Sequence, residues 1–237
     1  MRKEDFEKVE SVWANNEDSV YQNKISHHRK IWGGWDNWGQ HNLSEIKRCF
    51  SFLNRELASM SIVEWGVGGG ANMGALSFCS QNYIGIDISP SSLVASTEIA
   101  KEYVVPFTPV LIGANPEEDL LSYFDSADLF VSTAVFQHFP SKEYTFEVLK
   151  IVYNLLKTGG VGLIQIRYDN RDGSKKSRTI EGIEEYQEKY MTATSFTLEK
   201  FWEELKRVSL QPLYISNIVK QNQYANFIFT KGEFQDE

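Results

Sequence analysis

Apolar residues along this chain fall into two kinds of block, short dense runs and longer stretches at helical spacing, and the two kinds alternate. The dense runs are Ser61–Trp65, Tyr83–Asp87, Phe107–Ile112, Ala127–Ser132 and Val161–Arg167. Each is strand-length and flanked by turn-forming residues, which predicts five buried strands. Between them the spacing becomes helical: residues 42–58 place Leu43, Ile46, Phe50, Leu53 and Leu57 three or four apart, with Asn42 or Ser44 as cap. Further helices are predicted from Ala71 to Ser80, from Pro90 to Glu102 behind the cap Ser89, from Pro116 onward, over Lys142–Lys157 and over Thr197–Val208. Gly159-Gly160 reads as the stop of the fourth of these. Two last runs, Leu213–Val219 and Ala225–Thr230, are joined by a short polar connection and predict an antiparallel hairpin.

This order predicts an α/β fold: a doubly wound, seven-stranded, mostly parallel sheet with a C-terminal antiparallel hairpin and helices on both faces. Residues 1–41 lie outside the alternation. They hold Trp13, Tyr21, Trp32, Trp35 and Trp38 and read as an aromatic-rich cap containing an ordered loop over 32–39. Residues 42–237 read as the main domain. The polar stretch 169–195 is longer than a plain turn and reads as a lid-like insertion.

Bulk properties narrow the function classes. The net charge of −8 over 237 residues argues against a nucleic-acid footprint, which needs a basic face. No run of apolar residues is long enough to span a membrane, and the polar start MRKEDFEKVE lacks the apolar core of a secretory signal. Only Cys49 and Cys79 are present, without metal-type spacing. A reducing, cytoplasmic setting is therefore expected.

The candidate chemistry begins at Val63-Glu-Trp-Gly-Val-Gly-Gly-Gly-Ala-Asn72, a glycine-rich turn after the first strand. The second strand ends in an acid, Asp87. Strand, glycine turn, helix and acid-tipped strand together make a nucleoside-cofactor site. Gly66, Gly68 and Ala71 also fit the dinucleotide pattern, so an NAD-dependent oxidoreductase is one alternative and a non-catalytic cofactor- or partner-binding module another. Charge separates them. A dinucleotide sets a pyrophosphate over the turn, where Glu64 would repel it, whereas a ligand with an ammonium and a sulfonium suits a carboxylate. Ligands bind such sheets at the carboxyl ends of the strands. The glycine turn, Asp87, Gly113 to Asn115 and Ser132 to His138 are therefore expected to line one crevice.

The motifs VEWGVGGG, IGIDIS, ADLFVSTAVFQHFP and KIVYNLLKTGGVGLIQI, in that order, resemble those of class I S-adenosylmethionine-dependent methyltransferases over residues 42 to 231. The resemblance implies S-adenosyl-L-methionine as cofactor and S-adenosyl-L-homocysteine as product. Gly66, Gly68 and Gly70 would let the backbone approach the cofactor, and Glu64 would help hold its amino-acid end. Asp87 would accept both ribose hydroxyls, and Ile88 would pack on the adenine. Where many relatives have an acid after the third strand this chain has Ala114-Asn115, so the Asn115 side chain or the Ala114 backbone would take the adenine amino group. Thr133 joins the cofactor set, and Trp38 would cover the cofactor.

His138, after the fourth strand, is the candidate catalytic base for a hydroxyl acceptor, against a structural role bonded to backbone. Trp32, Trp35, Tyr168, Arg167 and Arg171 are the candidate substrate contacts. The acceptor is expected to be a small molecule, a sugar or a glycan end, methylated on oxygen or nitrogen. No metal is expected. The adjacent His27 and His28 point apart, and Asp169-Asn170 lacks the matching acid after the fourth strand that metal-dependent O-methyltransferases use. No G-x-S-x-G elbow is present, which removes the common hydrolase reading.

Overall fold

The computed structural model describes residues 1–14, 35–169, 179–219 and 223–232. Seven strands form a sheet in the order β3-β2-β1-β4-β5-β7-β6. They are β1 (Met60–Trp65), β2 (Ser80–Asp87), β3 (Phe107–Leu111), β4 (Ala127–Ser132), β5 (Leu156–Arg167), β6 (Leu210–Val219) and β7 (Tyr224–Lys231). The pairs β1–β2, β2–β3 and β4–β5 are parallel, and β7 is antiparallel to both β5 and β6. The doubly wound, mostly parallel sheet with a terminal hairpin is thus as the pattern predicts. The hairpin is folded so that the last strand, β7, lies against β5 and leaves β6 at the edge.

The helices are α1 (Lys3–Ala14), α2 (Trp35–Phe52), α3 (Ala71–Leu76), α4 (Pro90–Tyr103), α5 (Pro116–Leu120), α6 (Lys142–Leu155), α7 (Tyr186–Lys189) and α8 (Leu198–Arg207). Their starts follow local chemistry. Ser89, Ser141 and Thr197 each accept a backbone N–H from the first turn of α4, α6 and α8, and Pro90 occupies the first position of α4, where no N–H is needed.

The described chain divides into two compact units, Glu10–Gly113 with β1 to β3, and Met1–Val9 together with Ala114–Glu237 with β4 to β7. In the first, Ile62, Val63, Tyr83 and Ile86 of the sheet are fully buried. In the second, Phe201 of α8 is the centre of a phenyl cluster, with ring centroids 4.8 Å from Phe227, 5.4 Å from Phe196 and 6.1 Å from Phe136. Every residue of β4 except Asp128 is buried, as a strand covered on both faces requires.

Three predicted boundaries moved. Helix α2 begins at Trp35, seven residues before the predicted start at 42, so the expected aromatic loop over 32–39 is helical from Trp35 onward and the 41/42 boundary falls inside a helix. Gly39, which reads as a breaker in sequence, is instead a contact: a Cβ there would stand 2.2 Å from the carbonyl oxygen of Ala71, so only glycine lets α2 lie this close to α3. The predicted helix over 142–157 ends at Leu155, and Gly159-Gly160 lies within β5, which is longer at its start than predicted. Cap residue Leu156 is already extended and pairs with Ala127, so strand pairing ends that helix before the glycines do. Helix α3 stops at Leu76 and continues as a single tight turn, Ser77–Cys79.

Candidate active site

The glycine turn is shaped by what lies under it. Gly66 and Val67 donate their N–H groups to the carbonyl of Ile86 at 2.7 and 3.1 Å, which lashes the end of β1 to β2. Gly66, Gly68 and Gly70 have φ of 78°, 49° and 74°, the left-handed region that other residues enter at a cost. Gly70 also has no room for a Cβ, which would sit 3.1 Å from Met73 Cε and 3.2 Å from Ile99. The backbone of the turn is therefore bare, and its conformation depends on glycine.

Asp87 closes the other side of this cradle. Its Oδ2 accepts the Gly68 N–H at 3.0 Å and its Oδ1 accepts the Ser89 N–H at 2.9 Å. Burial pushes the carboxyl up to about 6, against the pull of the backbone N–H groups of Ser89, Gly68 and Ile88. It is therefore mostly ionised at pH 7.5, and each oxygen keeps a lone pair for a further donor. Ile88 beside it is half-buried, leaving apolar surface at the strand end.

Glu64 sits deeper than a ligand contact would. It is 2 % exposed, and both carboxyl oxygens are engaged within the fold: Oε1 accepts Asn72 Nδ2 at 2.6 Å and Oε2 accepts the Tyr83 hydroxyl at 2.5 Å. Asn72 Oδ1 in turn accepts Asn42 Nδ2 at 2.8 Å, so the network runs from β2 through β1 and α3 to α2. Burial raises the Glu64 carboxyl to about 8, with Asp87 adding a smaller push and the bonds from Tyr83 and Asn72 opposing it. The sequence reading missed Tyr83, Asn72 and Asn42. The available signal was the acid itself, because a carboxyl buried at a strand end needs donors.

Trp35 belongs to this cradle rather than with the other expected substrate contacts. Its indole Nε1 donates to the Gly69 carbonyl at 2.8 Å, its ring covers Gly74, where a Cβ would meet Cη2 at 2.6 Å, and it lies 6.1 Å from the Tyr103 ring. Trp35 is thus half-buried on the turn. Trp38, one helical turn on, is half-buried. Trp35→Phe loses the bond to Gly69 and the outer indole ring over Gly74, costing at least about 1 kcal/mol. The melting temperature should fall by at least about 2–4 °C, and an unchanged melting curve would show the bond to be idle.

The other unit carries the residues after β4 and β5. Ser132 and Thr133 are buried. Ala134 has φ 58°, and its N–H donates to Gln165 Oε1 at 3.2 Å. His138 is 7 % exposed, with both ring nitrogens engaged. Nδ1 lies 2.9 Å from the carbonyl of Tyr190 and must carry the proton; Nε2 then accepts from Gln137 Nε2 at 3.2 Å. Burial depresses its proton affinity to about 4, so the ring is neutral. Three more bonds join the same turn to the 179–195 stretch: Tyr186 hydroxyl to His138 O, Thr194 Oγ1 to Phe139 O, and Thr194 N to Gln137 O. In this geometry His138 braces that stretch. Its expected role as a general base would require Nε2 to leave Gln137.

Arg167 and Tyr168 are both buried at the end of β5. The Arg167 guanidinium bonds the Tyr224 hydroxyl at 2.9 Å and lies 4.8 Å from that ring's centroid, and Tyr168 N–H donates to Gln223 O at 2.7 Å. Ala114 is half-buried and Asn115 exposed, and the Asn115 side chain makes no capping bond at the start of α5. Trp32, Arg171, Asn170, His27 and His28 lie outside the described residues. Among the described residues no group of three or more His, Cys, Asp or Glu is placed to hold a metal, and no helix is long and apolar enough to cross a membrane.

Comparison with known proteins agrees with this geometry. Residues 63–161 match the model of a family described as a methyltransferase domain. None of the curated proteins matches. Among solved structures, magnesium protoporphyrin IX methyltransferase from Synechocystis PCC 6803, with bound S-adenosylmethionine, has TM-score 0.66 at 12 % identity over 96 % of this chain and 97 % of that one. The 1,6-didemethyltoxoflavin-N1-methyltransferase of Burkholderia thailandensis, holding its acceptor and S-adenosylhomocysteine, has TM-score 0.65 at 15 % identity over 96 % and 91 %. A phosphoethanolamine N-methyltransferase of Haemonchus contortus has TM-score 0.66 at 16 % identity, over 95 % of this chain and 61 % of that one. At these identities the likeness is one of fold, and the family match covers residues 63–161. The residues of the cradle fit the cofactor: a bare glycine backbone faces an ionised carboxylate with lone pairs to spare, beside an apolar side chain. Residues 63–161 thus match a methyltransferase-domain family, and the fold is the one found in these S-adenosylmethionine-dependent enzymes.

Proposed function

We propose that this protein methylates a small-molecule acceptor, including a sugar or glycan end, on oxygen or nitrogen. The observation that carries the reading is the cradle in which Asp87 is held by the Gly68 and Ser89 amides. In it, the Asp87 carboxylate takes the ribose hydroxyls by charge-assisted bonds, Gly66, Gly68 and Gly70 admit the cofactor to the backbone, and Ile88 packs on the adenine. Ala114 and Asn115 are the remaining candidates for the adenine edge, with Thr133 and Trp38 as further cofactor contacts.

When bound, S-adenosylmethionine supplies an electrophilic methyl group on a cationic sulfur. The chain's own task is to orient the acceptor and exclude water, which can supply much of the rate without a dedicated base. Arg167 and Tyr168 are the described candidates for acceptor contacts. A small acceptor is supported by the net charge of −8, which disfavours nucleic acid, and by the acceptors named for the toxoflavin and porphyrin enzymes of the same fold. The two buried cysteines, Cys49 and Cys79, accord with a reducing, cytoplasmic setting.

Ligand-dependent melting tests the reading against an NAD-dependent oxidoreductase. S-adenosylhomocysteine at ~100 times its dissociation constant should add ~2.7 kcal/mol, a rise of about 5 °C or more for a chain of this size, with no response to NAD. A response to NAD alone would sink the proposal.

A further inference from the structure

The Asn42–Asn72–Glu64–Tyr83 network asks more of Glu64 than a ligand contact does. Two buried polar side chains, Asn72 of α3 and Tyr83 of β2, bond the carboxyl of Glu64 in β1, and Asn42 of α2 bonds Asn72 behind them, at 2.5 to 2.8 Å. Asn42, Asn72 and Tyr83 are neutral, and none can neutralise a carboxylate. A charge-assisted bond from a neutral donor steadies an anion but does not cancel it. The titratable groups facing Glu64 are Tyr83 and, further off at the end of β2, Asp87, whose negative charge opposes ionisation; Cys79 lies beside Tyr83. Asn72 and Asn42 bring no charge.

We propose that Tyr83 and Asn72 are positioning residues for the cofactor, holding Glu64 as an acid that loses its proton to solvent when the cofactor's ammonium-bearing end docks. The proposal rests on the cofactor reading above and deepens it. In the free protein the Glu64 carboxyl holds a proton, as its pKa of about 8 requires near neutral pH, and the two side-chain bonds are compatible with either state: a protonated oxygen donates to the Tyr83 hydroxyl, an ionised one accepts from it. Docking a cation nearby favours the ionised form. The O–H bond of the carboxyl breaks, the proton goes to buffer, and the two donors are already in place to receive the new charge. Cofactor affinity then depends on pH through a group that need not touch solvent.

Calorimetry of S-adenosylhomocysteine binding at pH 7.5, in phosphate and in Tris, reads the proton directly, because the observed heat varies with the buffer's ionisation heat in proportion to the protons released. About 0.8 proton per site is expected from a carboxyl with a pKa of about 8. In Glu64→Gln, which keeps the shape and cannot ionise, that release should disappear; any contribution from Asp87 or from the ligand's own amino group remains in both proteins and subtracts out. Tyr83→Phe removes one donor to the anion, so release should approach one proton and affinity should fall about tenfold, with the ligand-free melting curve used to establish that the variant is folded. Binding without proton release, or equal release from Glu64→Gln, overturns the proposal while leaving the cofactor reading intact. Absence of any binding to wild type overturns both.

Discussion

Asp87→Ala is expected to weaken S-adenosylhomocysteine binding by at least about a hundredfold and to abolish the ligand-dependent rise in melting temperature. The estimate follows from the geometry. A carboxylate that accepts two ligand hydroxyls makes two bonds to a charged group, each worth about 1.5–3 kcal/mol, so losing both costs roughly 3 kcal/mol or more. The same carboxylate also fixes the turn, since its two oxygens hold the N–H groups of Gly68 and Ser89 at 3.0 and 2.9 Å. Alanine removes both functions at once. Asp87→Asn separates them: one amide oxygen still accepts, the charge is gone, and an intermediate loss should result. Relief of the carboxyl's desolvation offsets part of the cost of the two lost N–H bonds, and ligand-free melting curves establish that both variants are folded. Titration calorimetry on wild type and both variants decides the matter. Binding by Asp87→Ala within threefold of wild type would mean that Asp87 does not meet the cofactor.

The parts of this molecule that were legible in its sequence are those set by local chemistry. The apolar run Ala127–Ser132 needs no partner to be recognised as a buried strand, and the cap Ser89 marks its helix unaided. Glycine turn and Asp87 could be joined because the spacing between two adjacent strands is short and regular. What stayed hidden depends on contacts remote in sequence. Gly39 reads as a helix breaker until the Ala71 carbonyl is seen 2.2 Å from where its Cβ would be. Trp35 reads as a loop aromatic until its indole is seen on the Gly69 carbonyl, 34 positions away. His138 reads as a base by position, and only the carbonyl of Tyr190, 52 positions on, assigns its Nδ1 proton and engages the ring. Glu64 was legible as an acid and not as a neutral one, because the charge of a carboxyl is set by burial that periodicity does not report.

That buried acid makes the stability of the ligand-free protein depend on pH in an unusual direction near neutrality. Among the described residues, three buried groups have shifted proton affinities that bear on the range from pH 4 to 8: Asp87 raised from 3.8 to about 6, His138 lowered from 6.5 to about 4, and Glu64 raised from 4.5 to about 8. The neutral His138 adds stability as pH rises from about 4 to 6.5, because the unfolded chain binds the extra proton there. Asp87 does the reverse between about 3.8 and 6, and above pH 6.5 the remainders of these two effects are small and opposite in sign. From there to about pH 8 Glu64 dominates. The folded protein keeps its proton and the unfolded chain does not, so stability falls with rising pH, by up to 1.36 kcal/mol per pH unit and about 1.5 kcal/mol over the interval. The melting temperature of the ligand-free protein should therefore drop by about 3–6 °C between pH 6.5 and 8. Glu64→Gln mimics the protonated acid, can still bond both Asn72 and Tyr83, and should melt at nearly the same temperature at both ends. Saturating S-adenosylhomocysteine should flatten the wild-type slope, because the bound cation stabilises the ionised carboxyl. Melting curves at four pH values for the two proteins, with and without ligand, test all three statements. A wild-type melting temperature that is level or rising from pH 6.5 to 8 would show that Glu64 is ionised in the free protein, with its two donors sufficient to hold the charge.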